Sequence, residues 1–68
     1  MNVYILKMLT TGECYVSYVY ASFEKAVANL ERENYKLEYS SPDNCFHEFV
    51  HSKDKSQTAT LAQKTLIQ

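Results

Sequence analysis

Tyr18-Val19-Tyr20-Ala21-Ser22-Phe23-Glu24-Lys25-Ala26-Val27-Ala28-Asn29-Leu30 decides the fold, because the spacing of its apolar residues changes at Ala21-Ser22. Up to that point apolar side chains alternate, the period of a strand. Beyond it Phe23, Ala26, Val27 and Leu30 recur at the 3.6-residue period of a helix. Ser22 is a good N-cap, and Glu24 follows in the first turn, where the helix dipole favours negative charge. The buried stripe is Phe23, Ala26, Val27 and Leu30. Glu24, Lys25, Glu31, Arg32 and Glu33 form the wet face, and Asn34 is the expected stop.

Working back toward the amino terminus, Val3 to Leu9 and Cys14 to Ala21 are two runs of strand formers around Thr10-Thr11-Gly12-Glu13. They predict a β-hairpin in which Gly12 takes the left-handed position of a three-residue loop with a bulge. Pairing Leu9 with Glu13 sets Met8 opposite Cys14, Leu6 opposite Val16 and Tyr4 opposite Tyr18. Tyr4, Tyr18 and Tyr20 then share the face that meets the helix. Val3, Ile5, Lys7, Tyr15, Ser17 and Val19 share the other face.

Toward the carboxyl terminus, Lys36 to Ser40 reads as a third strand, with Leu37 and Tyr39 on one side. Ser40-Ser41-Pro42-Asp43-Asn44 is the clearest turn in the chain, and Cys45 to His51 reads as a fourth strand. Ser52 to Ser56 is a polar loop. The segment from about 57 to 68 is expected to be an edge strand or a partly ordered tail. The fold class is therefore α+β: a small, mainly antiparallel β-β-α-β sheet, with one or two further strands and one helix packed on one face.

Length and composition agree with a single domain spanning residues 1–68. The chain has 68 residues, 46% of them hydrophobic, with six Tyr, three Phe, one Gly and one Pro. So small a domain buries only about 60% of the surface its unfolded form exposes, so every uncovered apolar face matters. The net charge of -1 argues against a general nucleic-acid binder. Residues 52–68 nevertheless carry Lys53, Lys55 and Lys64 against Asp54 alone. This basic tail is the alternative, nucleic-acid contact. There is no basic cluster ahead of the first apolar run and no stretch of about 20 apolar residues, so a cytoplasmic protein with reduced thiols is expected.

Val3-Tyr4-Ile5-Leu6, the Gly-containing hairpin and Ser22-Phe23-Glu24-Lys25-Ala26 resemble the front half of small uncharacterised bacterial and phage β-β-α-β proteins. That resemblance implies a small accessory protein, phage-encoded and acting in the host cytoplasm.

Chemistry-bearing residues are few. Cys45, His47 and His51 fall on one side of the fourth strand, with Phe49 between them. The two histidines are nonetheless about 13 Å apart along an extended chain, too far to share one ion. Surface histidines beside a buried cysteine are the expectation, with no metal and no cofactor. Cys45 beside His47 has the residue types of a thiol nucleophile and its base, yet nothing in the sequence marks a lowered thiol pKa or an oriented base. Glu31 and Glu33 do not face each other on a helix, so no acid–base pair emerges. No catalytic residue is assigned. One helix covers one face of the sheet, which leaves Val3, Ile5, Tyr15 and Val19 as the expected partner-binding surface. The expectation is a non-enzymatic protein-binding module, an inhibitor or adaptor, that engages a protein partner or itself as a dimer or larger species.

Overall fold

The computed structural model describes residues 1–66. Its elements are β1 (Asn2–Thr10), β2 (Glu13–Tyr20), α1 (Phe23–Arg32), β3 (Tyr35–Ser40), β4 (Phe46–His51) and β5 (Gln57–Thr65). One sheet contains all five strands in the order β2-β1-β5-β4-β3, and every neighbouring pair is antiparallel. The chain thus lays down a hairpin, crosses one face as α1 to the far edge, and returns by two further hairpins until β5 slots in beside β1. The last segment is therefore the central strand and not an edge. Its Thr residues favour a strand, and its fully buried Ala59 and Leu61 fit a strand in the middle of the sheet. The remainder of the expected 57–68 segment, residues 67–68, lies outside the described residues.

The helix begins and ends as its sequence dictates. The Ser22 hydroxyl accepts the Lys25 amide at 3.4 Å and donates to the Glu24 carboxylate at 3.0 Å. At the other end the Glu33 amide reaches the Asn29 and Leu30 carbonyls, and Asn34 takes a left-handed φ of 68°. Asparagine tolerates that conformation better than most residues. The core consists of Leu6, Ala26, Leu30, Tyr35, Phe49, Ala59 and Leu61, with Tyr4, Met8, Tyr20, Phe23 and Val27 packed around it. The amphipathic stripe read from the sequence is the stripe that faces the sheet.

Two local irregularities change the register expected from sequence. Thr11 and Gly12 both have positive φ, 50° and 85°, so the first turn is a two-residue loop closed by the Thr10–Glu13 pair. A bulge then follows: Leu9 pairs with Cys14 but Met8 pairs with Val16, which leaves Tyr15 as the extra residue. Leu6 consequently faces Tyr18, and Tyr4 faces Tyr20. From Val16 onward the offset from the expected pairing is two residues, which preserves the face of each side chain, whereas Cys14, expected opposite Met8, pairs with Leu9 and so turns to the open face. The second bulge is in β3. Leu37 pairs with Phe49 and Tyr39 with Glu48, so Glu38 is the extra residue and Leu37 and Tyr39 point to opposite faces.

Candidate functional site

Strand alternation sorts the sheet into two faces. Leu6, Leu61, His47, Phe49 and Ala59 look toward α1. The other face, which the helix leaves uncovered, is built in layers by cross-strand pairing. Val19 pairs with Ile5, Ile5 with Ala62, and Ala62 with Phe46. This makes one apolar row across four strands. The next layer is polar: Ser17, Lys7, Thr60, Glu48 and Tyr39. A third layer joins Cys14, Leu9, Thr58, Val50 and Lys36. Val3 and Lys64 pair at the end of β1 and β5. Val19 is 68% exposed and Tyr39 48%, while Ile5, Phe46, Leu9 and Val50 are half-buried by their neighbours alone. An apolar band this continuous is unusual for solvent-facing sheet in a small protein.

Of the four residues expected on this surface, Val3, Ile5 and Val19 are there. Tyr15 is not. The bulge turns it to the helix side, where it joins Met8, Tyr18, Asn29, Glu33, Tyr35, His51 and Gln57 around a shallow groove. Burial, and after it the neighbouring Tyr15 phenol, holds the Tyr35 hydroxyl above its ordinary pKa. Phe46, Leu9 and Val50 complete the open face and escaped sequence reading. Their partners are set by pairing with β5, from Val50–Thr58 within one hairpin to Leu9–Thr58 across most of the chain, and strand alternation alone does not show that.

The basic residues do not form one patch. Lys53 and Lys55 sit in the β4–β5 loop, whereas Lys64 belongs to β5 at the opposite end of the sheet. Nine strand residues at 3.3 Å separate Lys55 from Lys64 by roughly 30 Å. The basic tail read from the sequence is thus a loop and a central strand. The loop itself is tied down: Asp54 accepts the Ser56 hydroxyl at 2.6 Å and the Ser56 amide at 3.0 Å, and His51 Nδ1 accepts the Lys53 and Asp54 amides at 3.1 and 3.2 Å. Those bonds from Ser56, with smaller help from Gln57 and His51, hold the Asp54 carboxyl below its usual range.

His47 is buried rather than on the surface, and its surroundings account for both ring nitrogens. Nε2 lies 3.2 Å from the Asn44 carbonyl and Nδ1 lies 2.8 Å from the Ser40 hydroxyl. A carbonyl only accepts, so in the neutral ring Nε2 carries the proton and Nδ1 accepts from Ser40. Phe23 covers the ring at 5.0 Å between centroids. Cys45 precedes β4, half-buried, and its thiol donates to the Asp43 carbonyl at 3.6 Å. Among the described residues no three His, Cys, Asp or Glu side chains lie close enough to hold a metal ion. No described helix is long and apolar enough to cross a membrane. No protein-family model matches the chain, and neither does a curated protein or a solved structure.

Proposed function

We propose that the protein is a non-enzymatic binding module that engages protein through its open sheet face, in the manner of a small inhibitor or adaptor. One observation carries this reading: the apolar row Val19–Ile5–Ala62–Phe46 runs unbroken across four strands on the face that α1 leaves bare. Burying such a row is worth about 25 cal/mol per Å² of apolar surface, a large gain for a domain this small. The resemblance of the front half to small bacterial and phage proteins is in keeping with a target in a host cell.

The test compares the parent chain with Ile5→Lys and Val19→Glu, and with Glu31→Ala on the exposed side of the helix. Circular dichroism checks that each variant is folded. Association, either with itself in sedimentation or with a protein retained stoichiometrically on the tagged chain, should be lost in the first two variants and kept in the third. Association that ignores both open-face charges would refute the reading.

A further inference from the structure

We propose that the open face is closed by a second copy of this chain, related to the first by a two-fold axis running along β5. This rests on the open-face reading and adds the occupant and its symmetry. Three layers cross β1, β5 and β4 on this face: Ile5–Ala62–Phe46, Lys7–Thr60–Glu48 and Leu9–Thr58–Val50. In each, β5 is the middle strand. Stacked sheets lie about 10 Å apart with their strands within about 30° of one another. A two-fold axis between two such sheets, parallel to β5, carries β1 of one copy over β4 of the other without changing height along the strand. Ile5 then meets Phe46 of the second copy, Lys7 meets Glu48 of the second copy, and Leu9 meets Val50 of the second copy. Each contact occurs twice, the self-complementarity that a two-fold interface demands. Ala62, Thr60 and Thr58 are small and meet their own counterparts along the axis, where room is least, and beyond them the exposed Lys64 meets Lys64 of the second copy at the solvent-filled rim, where the repulsion is screened.

Charge selects this axis over its competitor. A two-fold perpendicular to the strands would stack β1 on β1 and β4 on β4, setting Lys7 against Lys7 and Glu48 against Glu48. Both contacts repel. Only the axis along β5 turns the polar layer into two opposite-charge pairs while matching apolar to apolar on either side. Five strands at about 4.8 Å and six residues at about 3.3 Å give a footprint of roughly 500 Å² per copy. That total, about 1,000 Å², lies at the lower bound of specific interfaces.

Sedimentation of the intact chain from micromolar to millimolar concentration tests the proposal. The parent should dimerise. Lys7→Glu sets glutamate against glutamate twice, and Glu48→Lys sets lysine against lysine twice, so each alone should weaken the dimer on the order of tenfold or more. Mixing the two variants makes both pairs opposite in sign again and should restore association as a heterodimer. The double variant should recover the homodimer. Single variants that dimerise like the parent, or a mixture that stays monomeric, would overturn the axis. In that case a dimer still broken by Ile5→Lys leaves the open-face reading standing, and one indifferent to Ile5→Lys removes both. A parent chain that stays monomeric throughout overturns the second copy as occupant.

Discussion

The Ser40 hydroxyl donates to Nδ1 of the buried His47 ring at 2.8 Å. The bond links β3 to β4 just beyond the β3 bulge and orients the ring so that Nε2 reaches the Asn44 carbonyl. Removing the hydroxyl strands a buried acceptor, a loss of about 1–3 kcal/mol. Ser40→Ala should therefore lower the denaturant midpoint clearly, while Ser17→Ala on exposed β2 should scarcely move it. Equal midpoints would mean that the His47 ring turns or hydrates at no cost.

Much of this architecture was legible because it is local. The change of period at Ser22, the cap, the stripe ending at Leu30 and the Pro42-Asp43 turn all depend on neighbours within a few residues. The central place of β5 was not legible, since it depends on pairing Leu6 with Leu61 and His47 with Leu61 across the chain. The bulge in β3 and the position of the one in the first hairpin were equally hidden. Tyr15 changed face because of one unpaired residue, and nothing in Cys14-Tyr15-Val16 marks that residue as the extra one. His47 read as a surface residue because its partner Ser40 is reached only through the pairing of β3 with β4, which the local pattern does not show.

Core packing gives the plainest stability contrast. Leu30 is 1% exposed on the sheet-facing side of α1, whereas Glu31, its neighbour, faces solvent. Leu30→Ala should cost about 2–5 kcal/mol, a large part of what so small a domain possesses. Glu31→Ala should stay within about 0.5 kcal/mol of the parent. Thermal melts of the two variants that coincide would show the stripe to be misassigned.

Acid should weaken the fold through two exposed loops. The Ser41 hydroxyl and the Cys45 amide hold Asp43 below the usual carboxylate range, and Ser56 does the same for Asp54. A carboxyl whose folded pKa lies below its unfolded value adds stability at pH above the unfolded value. That contribution is lost as pH falls through the folded one, between about pH 5 and the strongly acid range. Replacing both with Asn should therefore flatten the decline of stability with acid. An undiminished slope, measured by urea denaturation at several pH values, would assign acid sensitivity to other groups.

The thiols should remain separate. Cys14 pairs with Leu9 near one end of the sheet, while the Cys45 carbonyl accepts the Gln63 amide near the other end, where Gln63 pairs with Tyr4. Five strand residues put those ends roughly 16 Å apart, far beyond the span of a disulfide. Titration should find two thiols per chain, the exposed Cys14 reacting faster than the half-buried Cys45. A Cys14–Cys45 disulfide within one chain, found by peptide mapping after non-reducing purification, would contradict the fold.

The first turn carries a strain that a single substitution should relieve. Thr11 stands at φ 50° and Gly12 at φ 85°, so both central residues of the loop are left-handed. Glycine suits that conformation, but a β-branched residue crowds its own backbone there. Thr11 is held in place by its amide, which donates to the Ser56 carbonyl at 2.8 Å, and that bond needs no particular side chain. Asn-Gly is the favoured pair for this loop. Thr11→Asn should accordingly raise stability by about 1 kcal/mol. Gly12→Ala should lower it by a similar amount or more, although nothing within 4 Å would touch the added carbon. Opposite signs in the two denaturation curves would locate the effect in the backbone. A Thr11→Asn variant no more stable than the parent would show that the turn stores no strain at residue 11.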